Sequence, residues 1–330
     1  MHIRLHVSDG HVDRVDIKTT RYDVSGALFQ GSAPEDALKR MGQVFSLCGI
    51  AQTIAACTAA ENALGVDAGT SLIKARDTLR LSEMATQTAM RLCLHWPQAL
   101  NMSPLPAPVQ ASMKVQRLLS QMLSGALAGP AFAATDQDMS KLWQKVDALT
   151  NAIGDLRQAG GLHDQLRHQL VRLGWQGFGA LPGNTAPEQG ALSRCWNAPA
   201  VIAARQEFGA GLLARLEAGF CDLEQSLKDM RAALTKVEGV VVAPVWSGDD
   251  GTGQATVETA RGALSHKVAI RQGKIASYQI SAPTEANFAP GGPVVAGLLG
   301  AREEKIESAA RLHVLAIDPC VDFTIGLDHA

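Results

Sequence analysis

Six cysteines (Cys48, Cys57, Cys93, Cys195, Cys221 and Cys320) are the side chains here best suited to soft-metal or redox chemistry. Their spacing is irregular, which is not the pattern of a disulfide framework. A reducing cytoplasm is therefore the expected setting, with thiols left free. The ordinary fate of such a thiol is to serve as a small buried hydrophobe. Two other groupings carry less. His163, Asp164 and His168 share one polar helical stretch, but a separation of five residues makes a poor chelate on a helix. A solvated face is expected there. Gly248-x-x-Gly251-x-Gly253 lacks a strand-to-helix setting and a lysine partner, so it reads as a plain loop rather than a phosphate cradle.

A chain of 330 residues, 46% hydrophobic, buries a substantial core. Only 19% of its residues are charged and its formal net charge is -2, so it offers no electrostatic footprint for nucleic acid. The start, Met1 to Val7, lacks the apolar stretch of a secretory signal. Apolar runs such as Val240–Val245 and Val294–Leu299 fall far short of the ~18 residues a membrane span needs. No nucleic acid and no membrane span are expected.

The elements follow from local pattern. Ile3–Val7 and Val12–Ile17 alternate with period two around Asp9-Gly10, which predicts an N-terminal hairpin. Pro34 suits the first turn of a helix that is expected to run on through Leu47-Cys48-Gly49-Ile50 and stop at Gly65. A helix over 71–96 is predicted to end at Pro97, and the prolines of 101–108 to form a stiff connector. Two or three helices are expected between Val109 and Val171, with breaks near Gly129-Pro130 and Gly160-Gly161, and a loop from Gly174 to Asn197. Leu212, Leu216, Phe220, Leu223, Leu227, Met230 and Leu234 fall on one face of a long core helix. Residues 264–270 and 274–280 flank Arg271-Gln272-Gly273 as a second hairpin. A last helix is predicted over 303–315. The fold class is α+β: one mostly helical domain, with a hairpin over 1–20, a helical body over 34–238, and a hairpin region with a cysteine motif over 240–330.

Longer motifs add a resemblance. The tail Asp318-Pro319-Cys320-Val321-Asp322-Phe323-Thr324-Ile325-Gly326 is similar to Asp-Pro-Cys-x-x-Cys-x-x-His of nickel-iron hydrogenase large subunits. Phe323 replaces the second cysteine and Gly326 the histidine. Glu258-Thr259-Ala260-Arg261-Gly262-Ala263-Leu264-Ser265-His266 resembles that family's Glu-Ala-Pro-Arg-Gly-x-Leu-x-His. Gly273-Lys274-Ile275-Ala276-Ser277-Tyr278 and Pro283-Thr284-x-x-Asn287 match two more of its motifs, in the family's order. Near the start, Cys48-Gly49-Ile50 resembles Cys-Gly-x-Cys, with Ala51 for the second cysteine, Ala55 for a histidine, and Gly26 where a glutamate is expected. The likeness covers about a quarter of the chain, over roughly 26–65 and 256–320. It fits best the large-subunit-like hydrogenase maturation proteins, the HupK/HoxV group.

This resemblance implies a fold like a shortened hydrogenase large subunit. In the enzymes four thiolates hold nickel together with an iron that carries two cyanides and one carbon monoxide. Only the two first positions survive here, Cys48 and Cys320, and both align with nickel ligands. The implied role is a non-catalytic scaffold that transiently carries the iron-cyanide-carbonyl unit, with nickel as an alternative guest. Cys48 and Cys320 would be the metal ligands. Arg261 and Thr284 would donate hydrogen bonds to cyanide, and Pro283 would wall the carbon monoxide. The implied partners are maturation carrier proteins and the immature large subunit. The competing readings are a metal-free mimic that docks those partners, and a reduced redox enzyme. His266 is expected to be a satisfied structural histidine, and Arg261 has an ordinary structural role as its alternative.

Overall fold

The computed structural model describes residues 1–19, 25–45, 47–246, 248–302 and 304–329. Strands β1 (His2–Ser8) and β2 (His11–Lys18) form the predicted hairpin, turning on Asp9 and Gly10, both at positive φ. Helices α1 (Ser25–Phe29), α2 (Pro34–Val44) and α3 (Gly49–Leu64) follow. Then α4 (Thr70–Met90) passes through one π turn at Arg91–His95 into α5 (Trp96–Ala99). The helical body continues with α6 (Pro106–Met122), a 3-10 turn at Ser124–Leu127, α7 (Asp136–Asp155) and α8 (Leu162–Leu173). Next come α9 (Ala191–Arg194), α10 (Pro199–Phe208) and the long α11 (Leu212–Leu234). Strands β3 (Gly251–Thr259), β4 (Gly262–Arg271) and β5 (Lys274–Ser281) form one antiparallel meander. Helices α12 (Pro283–Asn287), α13 (Pro293–Leu298) and α14 (Ile306–Ile317) lead to β6 (Thr324–His329). The α+β class and the helical bias are as expected.

Several local expectations need correction. The helix predicted to continue from Pro34 to Gly65 is two helices. Gly42 and Gly49 bring α2 and α3 together so closely that a Cβ on Gly49 would lie 3.1 Å from the Gly42 carbonyl oxygen. The chain therefore reverses between them, and Cys48 becomes the residue that precedes the first turn of α3. Pro97 does not end its helix. The π turn shifts the hydrogen-bond register, and the backbone N–H of Leu105 donates 2.8 Å to the Cys93 carbonyl that Pro97 cannot serve. The connector over 101–108 is shorter than predicted, because Pro106 and Pro108 belong to the first turns of α6. The loop 174–197 contains α9, and the last helix starts at Ile306, Glu303 lying outside the described residues.

The glycine run read as a loop is the start of a strand. A Cβ on Gly251 would stand 1.9 Å from the Ala63 carbonyl oxygen, and one on Gly253 2.1 Å from that of Ala59. These glycines let β3 lie directly on α3. The second hairpin therefore has a third strand. The N-terminal sheet also gains one: β6 pairs in parallel with β1, His2 opposite Thr324 through Val7 opposite His329. The two ends of the chain lie side by side.

Three apolar clusters hold these parts. The largest lies within the helical body, where the predicted stripe of α11 is buried and packs on α4. A second fills the space between α2, α3 and the meander, and a third lies between the N-terminal sheet and α13 and α14. Buried ion pairs link distant parts of the body. Arg76 grips Glu61 through two bonds of 2.6 Å, and Arg215 holds Glu188 at 2.7 Å.

Candidate metal centre

Cys48 stands at the start of α3, where the backbone N–H groups of the first turn have no partner within the helix. A side chain from α4 serves two of them. The Glu83 carboxylate accepts from Ile50 N at 2.9 Å and from Ala51 N at 3.0 Å. One turn further along α3, Gln52 Nε2 donates to Cys48 Sγ at 3.7 Å. Burial pushes the Cys48 thiol up to about 11, and the negative charge of Glu83 adds to it, while Gln52 and Arg261 work the other way. At neutral pH the group is a thiol, so a metal binding there displaces a proton.

Cys320 arrives from the other end of the chain. Helix α14 stops at Ile317, and Asp318 takes a left-handed conformation with φ of 64° that turns the chain out of the helix. Thr284 Oγ1, in the first turn of α12, donates to Cys320 Sγ at 3.2 Å. Beyond Cys320, β6 fastens the tail to β1.

Both cysteines line one small cavity, together with Gln52, Arg261, Pro283 and Thr284. Its volume is about 10 Å³, room for roughly one water-sized centre. All five residues singled out from the sequence, Cys48, Cys320, Arg261, Pro283 and Thr284, therefore meet at one place. Among the described residues, no group of three or more His, Cys, Asp or Glu side chains is arranged to hold a metal ion. The cavity offers two cysteine sulfurs as soft donors, so a metal there would depend on other ligands for the rest of its shell.

Arg261 lies in the two-residue turn from β3 to β4 and is only 7% exposed. Its Nη1 donates to Gln87 Oε1 at 2.7 Å, and its Nε lies 3.4 Å from Asp318 Oδ2. Arg91 approaches the same Asp318 oxygen at 3.6 Å. Two guanidinium groups thus share one buried carboxylate, and Arg261 Nε is in ion-pair reach without a hydrogen-bond acceptor. Arg261 therefore satisfies a buried carboxylate, the structural role expected as its alternative, and it also lines the cavity. Its neighbour Gly262, at φ 127°, leaves space that Gln189 fills: a Cβ there would stand 2.5 Å from Gln189 Cβ. Gln189 in turn accepts from Ala263 N and donates its own N–H to Asn287. The Arg-Gly and Pro-Thr-x-x-Asn motifs are stitched together through this loop.

A larger groove of about 660 Å³ opens beside the cavity and shares Arg261 with it. Asp318, Pro319 and Val321, close to Cys320 in the chain, line it together with Leu47 and Met90.

Sequence reasoning missed Glu83, Gln87 and Arg91. They stand four residues apart from α4 into the π turn that follows it, so a polar stripe at helical spacing was the available signal. His163 is a further correction. It is buried, not solvated, and its Nε2 lies 2.9 Å from Glu217 Oε2, which Arg157 also approaches, while Arg167 pairs with Oε1. His168 is exposed, as expected. Cys57, Cys93 and Cys195 are buried thiols, and Cys221 is half-buried. His266 has both ring nitrogens occupied, by Tyr278 and Gln52.

Glu83 is the titratable group with the clearest consequence for stability. Burial raises its carboxyl from near 4.5 to about 7, against the pull of the two N–H donors and Arg261. The folded form therefore holds its proton more tightly than the unfolded chain. The stabilisation this gives is complete below about 4.5 and is lost as pH rises through about 7. That change amounts to about 3 kcal/mol. Denaturant unfolding of the wild type and a Glu83→Gln variant should show their stability difference moving by that amount across this window and flat on either side.

The nickel-dependent hydrogenase family matches residues 200–321. The chain is 30% identical to the hydrogenase expression/formation protein HupK of Azotobacter vinelandii, over all of this chain and 99% of that protein. The chain belongs to the HupK family. It is also 30% identical to HupK of Rhizobium leguminosarum bv. viciae, over 96% of this chain and 93% of that one. HupV of Azotobacter chroococcum is 27% identical over the full chain. In three dimensions the chain matches the Ni-Fe-Se hydrogenase of Desulfovibrio vulgaris Hildenborough with a TM-score of 0.74 at 15% identity, over 95% of this chain and 94% of that one. The enzyme from Desulfomicrobium baculatum gives 0.73 at 14% identity. The hydrogenase large-subunit fold is therefore present. No helix among the described residues is long and apolar enough to cross a membrane.

Proposed function

We propose that this HupK-family chain is a non-catalytic scaffold in hydrogenase maturation, carrying the iron-cyanide-carbonyl unit as transient cargo. The observation that carries the reading is the convergence of Cys48 and Cys320, from opposite ends of the chain, on one cavity walled by Arg261, Pro283 and Thr284. Two soft thiolates suit one low-spin iron whose other positions are filled by strong-field diatomic ligands. Arg261 supplies N–H donors for cyanide nitrogen, Thr284 an O–H that would turn from Cys320 Sγ to reach one, and Pro283 an apolar face for carbon monoxide. Two thiolates chelate more weakly than the enzyme's four, which suits a cargo that must leave again.

An iron with three diatomic ligands is larger than the cavity. Loading therefore requires the cavity to widen, and the neighbouring groove, which shares Arg261 with it, offers the volume it lacks. The cargo would come from maturation carrier proteins and pass to the immature large subunit. A docking role without metal has one observation in its favour: large-subunit likeness extends over 95% of the chain, far beyond the cavity.

Anaerobic isolation from hydrogenase-producing cells, followed by metal analysis and infrared spectroscopy, separates the readings. About one iron per chain with cyanide and carbonyl bands is expected. Nickel without those bands makes nickel the guest. Neither metal, in cells whose hydrogenase still depends on this chain, leaves the docking role.

A further inference from the structure

Behind Cys48 lies a row of buried polar groups that the carrier reading does not use. Gln52 is 1% exposed, His266 0% and Tyr278 8%. His266 Nε2 lies 2.9 Å from Gln52 Oε1, and its Nδ1 lies 2.7 Å from the Tyr278 hydroxyl. At the far end, Gln52 Nε2 reaches Cys48 Sγ at 3.7 Å. The row crosses three elements: Cys48 and Gln52 are one turn apart on α3, His266 is on β4, and Tyr278 is its diagonal neighbour on β5.

The donor and acceptor inventory leaves little freedom. An amide oxygen only accepts, so with Gln52 Oε1 facing the imidazole, Nε2 must carry the proton. The bare Nδ1 then accepts from the Tyr278 hydroxyl, and the Gln52 NH2 is turned to the sulfur. The reverse arrangement, with the amide flipped and Nδ1 protonated, would set the Gln52 oxygen against the sulfur. A metal-bound thiolate has no proton to give that oxygen. Only the first arrangement satisfies every buried group once Cys48 is a ligand. Burial holds His266 down to about 3, so the imidazole is neutral and keeps one bare nitrogen.

We propose that Tyr278, His266 and Gln52 form a positioning chain that fixes the Gln52 amide and thereby holds an N–H donor on the Cys48 sulfur. The proposal rests on the reading of Cys48 as a metal ligand. An N–H on a ligating thiolate withdraws electron density from it, so the metal returns less to bound carbon monoxide and the carbonyl stretch lies higher. The chain thus tunes how firmly one of the two sulfurs grips its cargo.

The test compares anaerobically isolated wild type with Gln52→Leu and Tyr278→Phe variants by metal analysis and infrared spectroscopy. Gln52→Leu should keep its iron but show the carbonyl band at lower wavenumber, and Tyr278→Phe should shift it the same way by less. A merely structural role would change the iron content or the melting temperature and leave the band in place. A band unmoved in both loaded variants overturns the proposal. If Gln52→Leu does not fold, the Tyr278→Phe band decides alone. If the wild type carries no iron-carbonyl unit, the carrier reading fails separately, and the chain is judged on protein loaded with Cd2+, which makes Cys48 a bound thiolate, and labelled with 15N in histidine. There His266 should carry its proton on Nε2, and protonation on Nδ1, or no Cd2+ on Cys48, would overturn the proposal.

Discussion

Replacing either Cys48 or Cys320 by serine should abolish iron retention, and the double variant should be no worse than either single one. A serine hydroxyl stays protonated at neutral pH and is a hard donor, so it does not replace a thiolate on low-spin iron. With two protein ligands, the second bond forms within the molecule at a high effective concentration, and losing it costs roughly 10²–10⁴ in affinity. One remaining sulfur is a monodentate ligand, which explains the expected lack of additivity. The fold should barely respond. Both thiols are half-buried, and substitution at such positions usually stays within about 1 kcal/mol. Metal content, thermal unfolding and hydrogenase activity in cells carrying each variant check the expectation. Full maturation with both serine variants would favour the metal-free docking role.

The second large effect is predicted far from any ligand. Gly253→Val should destabilise the fold by about 3 kcal/mol or more and empty the site as well. The atom that a Cβ would meet at 2.1 Å is a backbone carbonyl oxygen of α3, and a main chain cannot turn aside as a side chain can. Either β3 retreats from α3 or α3 is pushed along its axis. Each outcome disturbs the start of that helix, where Cys48 and Gln52 stand. Gly154 provides the control. It lies in the last turn of α7 with nothing within 4 Å of a Cβ, so Gly154→Ala should stabilise slightly, by up to about 0.5 kcal/mol. Denaturant midpoints for the two variants, with iron content measured alongside, separate a local clash from a general intolerance of glycine replacement.

The same glycines show where sequence reading succeeds and where it stops. Elements with a strong local period were legible: the first hairpin, the apolar stripe of α11, and Gly65, which stops α3 in a left-handed conformation. The motifs that converge on the cavity were legible too, because they were matched as strings. Strand β3 was hidden because the two glycines that let it lie against α3 are turn formers by type. Strand β6 was hidden because its partner, β1, is over 300 residues away and a parallel pairing leaves no hairpin signal between them. His163 was misplaced for a similar reason. Its own helix shows a polar stretch, and the carboxylate that makes burial tolerable, Glu217, comes from α11. The polar stripe of Glu83, Gln87 and Arg91 was visible as spacing but had no stated purpose until α4 was seen to lie against Cys48 and Arg261. Contacts made between distant segments, not propensity, decide each of these cases.

The most direct measurement is X-ray absorption at the iron edge on anaerobically isolated protein, which counts the atoms around the metal. The account predicts two sulfur neighbours and a set of short iron–carbon distances, with the sulfur shell falling to one or vanishing with the iron itself in Cys48→Ser and Cys320→Ser. Iron with no sulfur neighbour, or a sulfur shell unchanged by both substitutions, would contradict it.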